Sequence, residues 1–173
     1  TGTINFINAP AQVELREVAV ADGTIKVLRE DYSSKLISSS IKEGGLASLY
    51  VDSTFDSTKK MSIKAFKNEV EAGQIQIVSK SDVSEYRIIL SDLKNGTNVL
   101  SKENISLYHL LYTQVVHTSG SLNPTGVGEY PDAILPMDVA IANKVNKLTA
   151  GKNQGVWVSI FVPGDQPAGE YTG

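Results

Sequence analysis

Two histidines, His109 and His117, fall in one long alternation of apolar and polar residues, "ENISLYHLLYTQVVH". A period of two puts both on the same face of a strand, some 26 Å apart at the strand rise of about 3.3 Å per residue. One metal ion cannot take both, and no third ligand is spaced to join either. They read as one half-buried and one exposed histidine. The carboxylates offer two pairs: Glu69 and Glu71 alternate onto one face, and Asp52 and Asp56 flank "STF". Paired acids are what glycoside hydrolysis uses. The Asp52/Asp56 spacing also offers oxygens to calcium, but it lacks the dense acidic loop and distal glutamate of an EF-hand. With 19 acidic residues in 173, such spacings arise by chance. "TGVGEYP" (125–131) opens like a dinucleotide fingerprint but places Pro131 where the third glycine belongs. "SGS" (119–121) lacks the flanking glycines of a nucleophile elbow. There is no cysteine, which removes disulfides, thiolate nucleophiles and cysteine-based zinc sites together. The sequence therefore assigns no catalytic residue, no metal ligand and no cofactor.

The aromatic residues carry a different chemistry. Trp and Tyr rings combine an apolar face with a polar tip, which suits stacking against sugars. The candidate carbohydrate-binding residues are Tyr130, Asp132 and Trp157. Trp157, between Val156 and Val158 in an apolar strand, reads first as core. Tyr130 lies in "GEYPDAILP", read as a loop that Gly128 and Pro131 would hold out to solvent, or as part of the Pro131–Pro136 corner. A binding module would need Tyr130, Trp157 or Tyr108 exposed in line.

These side chains must be positioned by strands, because period-two alternation dominates the chain. "QVELREVAV", "TIKVLR", "LASLYV", "KKMSIKAF", "GQIQIVSK", "EYRIILSDL", "ENISLYHLLYTQVVH" and "GVWVSIFVP" make about eight strands, separated by turn clusters such as "KNG" at 94–96. The expected fold is all-β, an immunoglobulin-like and mostly antiparallel sandwich that lacks its last strand or strands. The serine-rich "DYSSKLISSSIKEGG" (31–45) reads as a linker or long loop. This divides the chain into N-terminal strands and linker over 1–45, a remnant of a preceding domain, and a sandwich over 46–173. Residues 134–149 fit both a short helix after Pro136, through Met137, Ile141, Val145 and Leu148, and a strand with one polar interruption.

Composition excludes whole classes of function. With 41% hydrophobic and 20% charged residues the chain is of ordinary globular type. A net charge of -3, with basic pairs only at Lys59–Lys60 and Lys144/Lys147, argues against a nucleic-acid partner. No apolar run approaches the roughly 20 residues of a membrane-spanning helix.

The closing stretch "VPGDQPAGEYTG" has the logic of a structural corner. Pro163 ends a strand by removing a ladder donor, Gly169 takes a positive φ, and Tyr171 starts a new strand with its hydroxyl bonded back to turn backbone, as in a tyrosine corner. The chain stops there, which reads as a piece of something larger. Five segments in order, "KAFKNEVEAGQIQIVSK", "SDLKNG", "NISLYHLLYTQV", "EYPDAILP" and "GKNQGVWVSIFVPGDQPAGEYTG", resemble the N-terminal β-sandwich of glycoside hydrolase family 123-like bacterial proteins, which often carry the DUF4091 domain. In that family an "RNE" precedes an apolar strand, and Lys67 stands here where arginine is usual. The resemblance spans roughly residues 46–173. It implies a barrel with the catalytic site after Gly173, acting on acetamido sugars through an adjacent Asp–Glu pair. This chain contains no Asp–Glu dipeptide, so no catalytic residue carries over. The expected role is a non-catalytic accessory domain, extracellular or at the bacterial cell surface. Its partners would be the adjacent domains of the parent chain and a glycan. The alternative is an independent carbohydrate-binding or adhesion module.

Overall fold

The computed structural model describes residues 3–6, 15–37, 43–44, 61–117 and 126–173. Its centre is a five-stranded antiparallel sheet built from β2 (Leu15–Asp22), β5 (Val70–Ser79), β9 (Ile105–Val115), β10 (Gly128–Pro136) and β11 (Asn153–Phe161), in the order β10-β9-β11-β5-β2. Three antiparallel two-stranded pairs complete the described ladders: β1 (Thr3–Phe6) with β6 (Tyr86–Ile89), β3 (Lys26–Val27) with β4 (Glu43–Gly44), and β7 (Leu93–Asn95) with β8 (Asn98–Leu100). The class is all-β, as the alternation predicts.

Alternation along the central strands sends side chains to two faces, and both faces are covered in part. On one face Ile77 of β5 and Val156 of β11 pack with Val83, Tyr86, Leu148 and the short helix α1 (Met137–Ala142). That helix presents Met137 and Ala140 to the core, three positions apart and so on one face. Asn143 and Lys144 end it: the Asn143 side chain donates to the Val139 carbonyl at 2.9 Å, and Lys144 takes a left-handed φ of 57°. Residues 134–149 are therefore the end of β10, the short helix Met137–Ala142 after Pro136, and then turn and irregular backbone. Val145 and Leu148 lie beyond the helix, and Leu148 bridges Val83 instead.

On the opposite face Ala19 and Val78 pack with Tyr32 and Ile37, and Ala21 packs with Ile25 and Val27. Tyr32 and Ile37 are fully buried. The first part of the serine-rich stretch thus lies on the sheet, and β2, from the same N-terminal portion, pairs with β5 from Leu15 to Asp22.

Some expectations are corrected. "GEYPDAILP" is not a loop but strand β10, paired with β9 and bulged between Pro131 and Ala133. Proline is tolerated there because β10 is an edge strand of this sheet. Residues 61–66 alternate but form no strand; Met61 is spent on Gly73, where a Cβ would come within 2.7 Å of its sulfur. "TIKVLR" contributes only the two residues of β3. "LASLYV" and the pair Asp52/Asp56 lie outside the described residues.

The closing stretch docks on the β7–β8 hairpin. Thr172 and Lys94 exchange backbone hydrogen bonds of 2.8 and 3.0 Å, and Gln166 reaches the Val99 carbonyl at 3.2 Å. The Pro163 carbonyl accepts from the Gln166 N–H at 3.1 Å, Gly169 has φ +153°, and the Tyr171 hydroxyl donates to the Pro167 carbonyl at 2.8 Å. Tyr171→Phe should lower stability in chemical denaturation by about 1 kcal/mol, the net worth of one hydrogen bond. An unchanged midpoint would show that water replaces the bond without loss.

Candidate functional site

The register of the central strands sets Gln74, Trp157 and Tyr108 side by side, because Trp157 pairs with Gln74 on β5 and with Tyr108 on β9. Trp157 is half-buried, neither sealed core nor free surface. Beside it lies a cavity of about 230 Å³, bounded by residues 23–26 on one side and by Leu110, Pro131, Ile134 and Trp157 on the other, with Gln74 between.

The wall at 23–26 exists because of a glycine. A Cβ on Gly23 would stand 2.9 Å from the Ala72 carbonyl oxygen, so only glycine lets this turn come down onto the sheet. Asp22 fixes the turn, its carboxylate accepting from the Thr24 N–H at 2.7 Å and from the Thr24 hydroxyl at 2.6 Å. At the same side of the molecule Lys26 meets Asp132 at 2.9 Å, both partly exposed. Such a pair adds little stability. It does set a donor and an acceptor beside the cavity.

Beneath the 22–30 segment runs a chain of buried amides. Asn153 donates to the Leu28 carbonyl at 3.1 Å and to Gln76 Oε1 at 3.0 Å, and its own Oδ1 accepts from the Glu30 N–H at 2.8 Å. Gln76 Nε2 donates to Gln74 Oε1 at 3.2 Å, and Gln74 Nε2 donates to the carbonyls of Ile25 and Asp22 at 2.6 and 3.1 Å. Each amide donates to the next, and the last donates to the loop. The chain thus ties the cavity wall to the sheet.

Nearby, the β9–β11 ladder stops at the pair His109 and Val156. Side chains take over from backbone: the Gly155 N–H donates to the Tyr112 hydroxyl at 3.0 Å, and Gln154 Nε2 reaches the Leu110 carbonyl at 2.9 Å. Burial holds the Tyr112 phenol well above its ordinary range, so it stays protonated.

The structure sorts the residues singled out in the sequence. Trp157 and Asp132 come to the same cavity region, Asp132 through Lys26. Tyr130 does not; instead of standing out on a loop it is buried in β10, its hydroxyl donating to the Gly126 carbonyl at 2.8 Å. His109 is buried on the opposite face of the sheet, with Tyr86 Oη 2.7 Å from its Nδ1. His117 lies beyond the end of β9 and is exposed. Glu69 is engaged locally, accepting from the Phe66 N–H at 2.5 Å. Among the described residues no three His, Cys, Asp or Glu side chains gather as metal ligands, and no helix is long and apolar enough to cross a membrane. Sequence reasoning passed over Gln74, Gln76 and Asn153. Their signal is three carboxamides set in otherwise apolar strands.

Comparison with known proteins adds the family. The model for the glycoside hydrolase 123 N-terminal domain matches residues 49–173. Among solved structures, the chain is similar to a family 123 glycoside hydrolase from Clostridium perfringens, studied for the details of glycolipid glycan hydrolysis. The likeness has a TM-score of 0.43 and 20% identity, over 62% of this chain and 18% of that one. The chain thus spans less than a fifth of that protein's length. No curated protein matches it. With well over half its length matched by the family model, the chain belongs to the glycoside hydrolase 123 N-terminal domain family.

Proposed function

We propose that this domain is a non-catalytic accessory module of a glycoside hydrolase, packing against the catalytic part of its parent chain and holding it in place. The observation that carries this reading is an apolar end of the sheet. Val70 and Phe161 are cross-strand partners, and they stand 59% and 39% exposed, with Phe66 at 83% just before β5. Three large apolar side chains at one sheet end cost the isolated domain solvent-exposed area that a neighbour would cover. The family supplies that neighbour, since it is defined as the N-terminal domain of glycoside hydrolases.

The test is Phe66→Ser with Phe161→Ser. Alone, the domain should lose no more than about 0.5 kcal/mol, as expected for surface changes. In the parent enzyme the same changes should split one cooperative calorimetric transition into two. A parent transition that stays single and unshifted would sink the bracing role. Hydrolysis of an acetamido-sugar reporter by the isolated chain would overturn the non-catalytic one.

A further inference from the structure

We infer that the cavity beside Trp157 is a binding site for a single neutral pyranose ring, a role beyond packing against a neighbour and one that does not depend on it. Size sets the first limit. At about 230 Å³ the cavity is smaller than the roughly 300–1,000 Å³ of sites for drug-sized ligands, so it takes one ring and not a chain. Surface chemistry sets the second. Leu110, Pro131, Ile134 and the half-buried Trp157 offer apolar contact, with an indole among them for a ring to lie against.

Polar groups set the third limit. Lys26 and Asp132 put an ammonium donor and a carboxylate acceptor 2.9 Å apart, both reachable from solvent. They neutralise each other, so a charged ligand gains from one and is repelled by the other. A purely apolar ligand would leave both unused. Gln74 is buried at the cavity, with Nε2 donating to two carbonyls, while Oε1 takes one hydrogen bond from Gln76 and retains a second lone pair. An apolar floor, a paired donor and acceptor at the side, and a spare amide acceptor match a pyranose, which has C–H faces and a hydroxyl perimeter. Trp157 lies four residues along β11 from Phe161, about 13 Å at strand rise, so a ligand here and a neighbour at Phe66, Val70 and Phe161 do not exclude each other.

Trp157 is the one tryptophan in the chain, so its fluorescence reports on this cavity directly. The isolated protein is titrated with the methyl glycosides of galactose, glucose and mannose, with glucuronate as the charged comparator and cyclohexanol as the apolar one. The expected result is a saturable change with at least one methyl glycoside and a weaker response to both comparators. Lys26→Met and Asp132→Asn should each weaken binding about tenfold, the worth of a hydrogen bond to a charged group. Ile134→Phe, which fills the cavity from a half-exposed position, should abolish it with circular dichroism unchanged. No saturable change with any of the three glycosides overturns the inference, as does an equal response to cyclohexanol or undiminished binding in Ile134→Phe. The apolar-end variants test the bracing role separately, so the two can fail independently.

Discussion

Acidification from pH 7 to pH 4 is expected to remove about 3 kcal/mol of stability through one side chain, His109. Burial, with a smaller push from the Arg29 guanidinium, takes its pKa from 6.5 down to about 4. The imidazole is held neutral between β9 and β6, with the Tyr86 hydroxyl 2.7 Å from Nδ1. Burial raises the Tyr86 pKa, so the phenol keeps its proton and is able to donate a hydrogen bond to Nδ1 in the tautomer that carries its proton on Nε2. As pH falls from 6.5 towards 4 the unfolded chain takes up a proton that the native state refuses. Stability is therefore full above pH 6.5, falls through the window, and stops falling from this cause once the native histidine also titrates. A pKa lowered from 6.5 to about 4, at 1.36 kcal/mol for each tenfold change in proton affinity, gives the figure of about 3 kcal/mol.

The measurement is the denaturant midpoint at several pH values between 7 and 4, for the native chain and for His109→Gln. A carboxamide can still accept from Tyr86 but does not titrate, so the variant should lose most of the slope while keeping much of the stability at pH 7. An equal slope in the variant would assign the acid sensitivity to carboxylates instead. The pair also locates the histidine's role: it is a polar joint in the core, not a ligand.

The sequence disclosed the elements wherever alternation coincided with half-burial. β2, β5, β9 and β11 all carry the period, and each is a strand where the pattern placed it. β10 was hidden because proline reads as a breaker, and only topology reveals that Pro131 sits on an edge where no donor is missed. Residues 61–66 failed the other way: the alternation is present, but Met61 lies over Gly73 and no ladder forms. Local pattern cannot tell a partner strand from a sheet face.

The site was half legible for a related reason. Trp157 could be singled out by type, but whether it was core or platform depended on what covers that face of the sheet. In "GQIQIV" alternation alone sets the glutamines opposite the isoleucines without saying what meets them, and Gln74 and Gln76 are buried under the 22–30 segment. A polar stripe can be buried when backbone carbonyls and other amides meet it, and apart from the Gln76–Gln74 bond itself those partners come from 49 to 77 positions away. Tyr130 shows the converse. A loop would have exposed it, but a strand turned it inward and gave its hydroxyl a carbonyl.

Asn153→Ala is expected to be the most damaging single change on that face, costing about 3 kcal/mol or more. Asn153 is fully buried and satisfies three groups: the Leu28 carbonyl, Gln76 Oε1 and the Glu30 N–H. Alanine leaves two acceptors and a donor without partners, each costing about 1–3 kcal/mol to the extent that water cannot reach it. It also breaks the directional chain at its head, so Gln76 and Gln74 lose the polarisation that strengthens their own bonds. Asn153→Asp should do no better. Its carboxylate still accepts from Glu30 but faces two further acceptors, and a buried charge without a counterion is costly. Ser159→Ala, on the same strand but half-exposed, should stay within about 0.5 kcal/mol. The ladder ends on the carbonyls of Asp22 and Ile25, which flank the wall of the cavity. Breaking it at Asn153 should therefore quicken amide exchange at Glu30, shift Trp157 emission to the red as water enters, and weaken any ligand held there. A loss below about 1 kcal/mol with unchanged emission would mean that Gly23 packing on Ala72 holds the wall without the amides. The full loss with the red shift would tie the shape of the cavity to a side chain that does not line it.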